Sequence, residues 1–149
     1  ELRPLPGLVA LLDRVETCGL PYCIASSGGL ERIDVALDAM GLSARFSHVF
    51  SAEQVRHGKP APDLFLLAAQ TIGVPPDQCL VLEDSPFGIR AAKSAGMRAL
   101  GFVGGSHLEG IRAEHRDLLL EHGAHDVVEH LNEITIEKMS LHLTMPDAD

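Results

Sequence analysis

Apolar positions along this chain alternate between helical runs and short continuous stretches. Leu8, Leu11, Leu12 and Val15 recur at helical spacing between Pro6–Gly7 and Gly19. Leu30, Ile33, Leu37 and Met40 mark one face of a second helix, which ends at Gly41. Phe65, Ala68, Ala69 and Ile72 predict a third, with Pro62 before its start and Asp63 in or near the first turn. A fourth opens at Ser85–Pro86, turns Ile89, Ala92 and Ala95 inward and ends at Gly96. Residues 111–122 read as an amphipathic helix, 131–138 as a last helix and 139–149 as a ragged tail. Between the helices lie short apolar runs at 22–25, 48–51, 79–82, 97–103 and 124–128. Such runs, bounded by Gly, Pro and Ser, predict buried strands. Strands alternating with helices predict an α/β fold, a Rossmann-like doubly wound parallel sheet covered on both faces.

Length and composition narrow this picture. At 149 residues the chain has the size of one domain, and no linker or internal repeat divides it. With 46% hydrophobic and 22% charged residues it falls outside the disordered and fibrous classes. No apolar run reaches the roughly 18 residues needed to span a bilayer, and 1–12 do not read as a signal segment. A formal charge of −9 argues against nonspecific binding to nucleic acid or an anionic membrane surface. An anionic substrate therefore needs a local basic group. Cys18, Cys23 and Cys79 are odd in number and lack metal-type spacing, so they read as reduced core thiols of a cytoplasmic protein.

In parallel α/β sheets ligands bind beyond the carboxyl ends of the strands, so the chemistry is sought there. Ser26-Ser27-Gly28-Gly29 follows the first strand and leads into a helix, offering a hydroxyl and backbone N–H groups to an anion. The same residues also suit a helix cap on a flexible turn. Glu83–Asp84 ends the third strand. Adjacent carboxylates at an apolar strand end are costly unless paired, and a divalent cation such as Mg²⁺ would pair them. The competing reading is a solvated loop in which Asp84 caps the next helix. Lys59, held between Gly58 and Pro60, is a point charge suited to phosphate, or else a surface lysine in a turn. Arg56 and His57 add positive character nearby, and Pro60 is a candidate cis proline.

Taken together, Cys23-Ile-Ala-Ser26-Ser-Gly, Gly58-Lys59-Pro-Ala-Pro-Asp63 and Val81-Leu-Glu83-Asp84-Ser-Pro-Phe-Gly88 resemble the haloacid dehalogenase superfamily, in its phosphatase and β-phosphoglucomutase-like branch. Lys59 follows Ser26 by 33 residues and precedes Glu83 by 24, and the resemblance runs from about Leu5 to Leu131. It implies that Ser26 hydrogen-bonds a transferring phosphoryl group, with Ser27 and Gly28 shaping the same anion loop. It implies that Lys59 bridges that group and a nucleophilic aspartate, that Glu83 and Asp84 hold Mg²⁺, and that Ser85–Gly88 shape the loop beneath the metal. Gly104-Gly-Ser-His107 would line the mouth, or be a plain glycine turn with an exposed histidine. The activity implied is Mg²⁺-dependent hydrolysis of a small phosphorylated metabolite through an aspartyl phosphate. A phosphomutase shares these core residues and stays open. The dehalogenase branch is disfavoured because it would leave Glu83–Asp84 without a purpose.

The family's nucleophile segment, a strand followed by Asp-x-Asp-Gly-Thr, is missing from this chain. Asp147-Ala-Asp149 has the spacing but no Gly-Thr loop, and Leu141–Met145 makes a poor strand. Residues 1–137 thus read as a partial core domain and 138–149 as a C-terminal tail. The nucleophile strand would be central, flanked by the strands ending at Ser26 and Asp84, so its absence predicts two unpaired strand edges. Residues 1–7 resemble the return from a helical cap into the core. The expectation is an N-terminal segment of the same protein that carries the aspartate, without which this chain is inactive. The rival reading is a non-catalytic binding module that keeps the fold. Four histidines, His115, His122, His125 and His130, invite a zinc site, but His122 and His125 straddle a helix break at Gly123 and no cysteine lies nearby. Glu109, Glu114, Asp117 and Glu121 read as a solvated helix face.

Overall fold

All five residues of the strand Arg98–Phe102 are buried, as a parallel strand covered on both faces requires. The computed structural model describes residues 3–144; Glu1, Leu2 and the Asp147-Ala-Asp149 segment lie outside them. The described chain alternates helices and strands in the order α1 (Leu8–Thr17), β1 (Ile24–Ser26), α2 (Leu30–Ala39), β2 (Val49–Ser51), α3 (Asp63–Ile72), β3 (Leu80–Glu83), α4 (Pro86–Ser94), β4 (Arg98–Phe102), α5 (Arg112–Glu121), β5 (Asp126–Val128) and α6 (Ile136–Thr144). Every pairing is parallel. β1 pairs with β2 in the register Ile24↔Val49 to Ser26↔Ser51. β3, β4 and β5 form a second group, with Leu80 opposite Arg98 and Leu100 opposite Asp126. Among the described residues no strand joins the two groups, so β1 and β3 each keep one open edge.

Side chains alternate across β4. Ala99 packs with Ile89, Ala92, Leu119 and Val127 beneath α4 and α5, whereas Leu100 and Phe102 pack with Leu11, Leu131, Ile134 and Met139 on the opposite face. The smaller group is sandwiched in the same way, by Ile33 and Leu37 of α2 on one side and Leu64 and Ala68 of α3 on the other. α3 belongs to both groups, because Phe65 and Ala69 join the core beneath α4. It therefore ties the halves together and carries the Lys59 loop into the space between them. Its first residue is Asp63, directly after Pro62, and Gly73 closes it at φ +84°, a conformation that costs glycine little.

One end of the chain differs from the expected pattern. Leu131 and Ile134 belong not to a helix but to a single 3₁₀ turn and its exit, whose carbonyls accept the Arg14 guanidinium at 3.0–3.2 Å. The last helix begins after Thr135, whose hydroxyl accepts the Lys138 N–H at 3.1 Å, and it runs to Thr144 with Met139 in the core. Helical spacing continues through Ile136, Met139 and Leu143, and the cap at Thr135 decides where it starts. The cysteines also differ in part. All three are free, but Cys18 is exposed. Burial pushes the Cys23 thiol up to about 11, which keeps it protonated and unreactive at neutral pH.

On the inner face of α6, His142 is 8% exposed and its Nδ1 has no hydrogen-bond partner among the described residues. Burial holds its pKa below the ordinary imidazole value, Arg98, Lys138 and His125 push the same way, and Asp126 opposes them. The fold thus favours the neutral ring. Stability from this site is complete above the unfolded value near 6.5 and is lost as pH falls below it. Urea midpoints measured between about pH 5 and 8 are expected to fall less steeply on acidification in His142→Leu than in the parent. Identical slopes would remove His142 from that pH dependence.

Candidate active site

β1 and β3 end side by side, and the groups they bring together come from three separate loops. A pocket of about 440 Å³ at these ends is lined by Ala25, Ser26, Ser27, Lys59, Glu83, Asp84, Ser85 and Phe87. Its floor is the ion pair between Lys59 Nζ and Glu83 Oε1, at 2.7 Å, with side chains only 9% and 13% exposed. Lys59 also donates to the Ala25 carbonyl at 3.2 Å, so a single ammonium spans the open edges of both strand groups. The Phe65 ring lies 5.0 Å from that nitrogen and offers its π face to the charge. The Lys59–Pro60 peptide is cis.

The two carboxylates have different surroundings. Glu83 points inward, and its Oε2 accepts the Asp84 N–H at 3.2 Å. Burial pushes its pKa above the ordinary carboxylate value, while the Lys59 charge and hydrogen bond pull it back. Asp84 is half-exposed at the mouth, where His107 Nε2 stands 3.5 Å from its Oδ2. Space for the Glu83 carboxylate comes from Gly88 in the first turn of α4, because a Cβ on that residue would overlap the Glu83 side chain. Gly88→Ala is expected to push Glu83 off Lys59 and cost most of the activity of the protein that carries this chain, with little change in melting temperature. A crystal structure of that variant retaining the 2.7 Å pair would refute this account of Gly88.

The anion loop after β1 is held from below. Ser26 Oγ accepts the Gly28 N–H at 3.0 Å, which leaves the hydroxyl proton free to donate to a ligand. Fully buried Ser51 donates to the Gly28 carbonyl at 2.6 Å and accepts the Glu53 N–H at 3.1 Å. Ser51 ends β2 directly opposite Ser26. Within the sequence it reads as the tail of an apolar strand, and the signal that could have pointed to it is the Ser51-x-x-Gln54 spacing of a capping box, in which Gln54 Oε1 accepts the Ser51 N–H at 2.8 Å. Phe65 reads along the chain as a helix position and Gly88 as part of the loop beneath the metal; what places them at the site is their contact with Lys59 and Glu83.

The other candidates lie elsewhere. Arg56 and His57 are exposed and do not line the pocket. The four clustered histidines separate: His115 faces the Asp84 carbonyl, His122 the Leu118 carbonyl, His125 the Ala99 N–H, and His130 the Glu129 carboxylate. Among the described residues no group of three or more His, Cys, Asp or Glu is arranged to hold a metal ion.

Comparison with known proteins shows the family of the chain. Residues 1–96 match the family model described as haloacid dehalogenase-like hydrolase. The chain belongs to that family. It is 45% identical over 102 residues to a fructose-1-phosphate phosphatase of Escherichia coli, an alignment covering 67% of this chain and 52% of the relative. A haloacid dehalogenase family hydrolase of Deinococcus radiodurans, solved with bound phosphate and sodium, superimposes with a TM-score of 0.82 at 29% identity, over 96% of this chain and 62% of that one. A β-phosphoglucomutase of Clostridium difficile superimposes with a TM-score of 0.75 at 27% identity, over 93% and 56%. The chain thus has the α/β fold of the haloacid dehalogenase-like family and spans about half the length of the curated relatives it matches.

Proposed function

We propose that this chain is the phosphate-gripping part of a phosphatase that hydrolyses a small phosphate monoester, a sugar phosphate or similar metabolite. One observation carries the reading: a nearly buried lysine joins the two strand ends at a pocket that also presents Ser26, Ser27 and Asp84. In a chain of net charge −9 this is where a phosphoryl group finds a fixed positive charge. Similarity to a fructose-1-phosphate phosphatase and to a phosphate-bound hydrolase supports it.

Each residue has a task. The Ser26 hydroxyl and the Ser27 N–H donate to phosphoryl oxygens, and Gly28 lets the backbone come close. Lys59 neutralises charge between the phosphoryl group and the attacking carboxylate. That carboxylate is an aspartate outside this chain, on a strand that fits between β1 and β3. Its oxygen bonds to phosphorus as the bond to the leaving alcohol breaks and the alcohol takes a proton. Water then cleaves the aspartyl phosphate to release inorganic phosphate. Phosphoryl transfer asks mainly for positioning and charge stabilisation.

The donor set at the mouth suits Mg²⁺, which typically takes one or two carboxylates and completes its shell with water and substrate phosphate. Asp84 and Glu83 would be two such ligands, since the Glu83 oxygens keep lone pairs after the bonds to Lys59 and the Asp84 N–H. When bound, Mg²⁺ would neutralise charge on the phosphoryl oxygens.

The test is a screen of small phosphate monoesters with the protein that carries this chain, with and without Mg²⁺. Phosphate release that stops on chelation and returns with Mg²⁺ is expected; no release from any monoester would reject the reading. The likeness to a β-phosphoglucomutase favours one alternative, a phosphomutase. In the same assay it would isomerise a sugar phosphate without net phosphate release.

A further inference from the structure

α5 is an unusual covering helix, since Leu119 is its one buried residue. The face it turns inward is otherwise polar. Arg112, His115 and Arg116 share it with Leu119 at the three- and four-residue spacing of one helix side. Each polar side chain reaches a backbone carbonyl. Arg112 donates to Val103 at 2.9 Å and to Gly104 and Gly105 at 3.4 Å, in the loop after β4. Arg116 donates to Val127 within β5 at 3.2 Å. His115 Nε2 lies 2.6 Å from the carbonyl oxygen of Asp84 itself. A carbonyl only accepts, so Nε2 carries the hydrogen.

We propose that His115 is a positioning residue that sets Asp84 for metal binding, an inference that rests on the assignment of Asp84 as a Mg²⁺ ligand. Three observations converge on it. The contact is at the backbone of the very residue whose carboxylate stands at the mouth, so it fixes the direction in which that carboxylate leaves the chain. In the preceding peptide, the Asp84 N–H is held by Glu83 Oε2, so the residue is tied at both its donor and its acceptor. The loop after β4, which carries His107 to the Asp84 carboxylate, is held by Arg112 one helical turn before His115. α5 thereby sets the loops after β3 and β4 relative to one another. Outer contacts of this kind are generally worth about 10–100-fold in metal affinity or activity.

The experiment measures Mn²⁺ binding, as a Mg²⁺ surrogate, by electron paramagnetic resonance in the protein that carries this chain, beside the Mg²⁺ concentration that half-activates it. His115→Leu is expected to weaken Mn²⁺ binding by about 10–100-fold and to raise the half-activating Mg²⁺ more than it lowers kcat. His115→Gln, with an amide donor of similar reach, is expected to recover most of the affinity. His115→Asn, one methylene shorter, is expected not to, and it serves in place of the leucine variant if that fails to fold. Arg116→Leu is the control: it breaks an α5 contact remote from Asp84 and should lower the melting temperature without changing Mn²⁺ affinity. Parent-like Mn²⁺ binding in His115→Leu or His115→Asn, alongside its loss in Asp84→Asn, would overturn the proposal and leave the metal assignment standing. Equal weakening in Arg116→Leu would also overturn it. Parent-like binding in Asp84→Asn would bring down the metal assignment and the proposal with it.

Discussion

Replacing Lys59 by alanine in the protein that carries this chain is expected to lower turnover in the proposed phosphatase reaction by about 10²–10³, the usual effect of removing one preorganised charge-stabilising donor. The loss has two parts. The phosphoryl group loses its nearest fixed cation, and Glu83 keeps a carboxylate 13% exposed without its counter-ion. Burial raises the Glu83 pKa, and the Coulombic pull and side-chain hydrogen bond of Lys59 oppose that rise, with a smaller contribution from the Asp84 N–H. In the variant that pKa rises further. A carboxyl raised in the fold favours the protonated native state, so its ionisation costs stability as pH climbs through the folded value, above the ordinary 4.5. Lys59→Ala should therefore lose stability relative to the parent as pH rises above that value, and lose turnover at every pH. Lys59→Arg is not expected to restore activity, because a planar guanidinium cannot place a single point charge between the Ala25 carbonyl, Glu83 and the Phe65 ring. Steady-state kinetics with a circular dichroism check on folding decides the matter. Parent-like turnover in a folded Lys59→Ala protein would show that this ammonium takes no part.

The largest effect on stability is expected at Leu119. It is fully buried and is the single apolar anchor of α5. It reaches down to β4 at Gly101, where an added Cβ would lie 2.8 Å from Leu119 Cδ1. The leucine fills the space that the glycine leaves open. Leu119→Ala removes that filling opposite a residue with no side chain to move into the gap, so the cavity cannot collapse from below. A cost of about 2–5 kcal/mol is expected, toward the upper part of that range, read from urea denaturation. Leu119→Met, which nearly conserves volume, should cost less than about 1.5 kcal/mol. Because α5 also carries the His115 contact to Asp84, Leu119→Ala should weaken metal activation beyond what its stability loss alone explains. A loss below about 1 kcal/mol would mean that the polar contacts of α5, not this leucine, hold the helix in place.

Much of this molecule was legible along the chain. The five apolar runs became the five strands within a residue or two, and the helix beginnings at Asp63 and Pro86 and the end near Gly96 followed the proline, serine and glycine signals. The three segments that resemble the haloacid dehalogenase family do meet at one pocket. The misreadings have local causes. Apolar Leu131 and Ile134 mimic helical spacing, yet their carbonyls are taken by Arg14, which is 117 residues from Leu131 and invisible to any local pattern. His115 was grouped with neighbouring histidines because sequence proximity was the only relation available.

The succession of elements is written along the chain, and so is the chemistry waiting at each strand end: a serine loop, a lysine and a pair of acids. Periodicity and turn residues act over a few positions, so they are encoded locally. Which of those groups touch is settled by packing. The 2.7 Å pair of Lys59 with Glu83, the Phe65 ring beside the ammonium, the Ser51 lock under the anion loop and the His115 contact to Asp84 all depend on strand register and on how α3 and α5 pack. All but the Lys59–Phe65 contact join residues more than 20 positions apart, and their energy is realised only once burial has removed competing water.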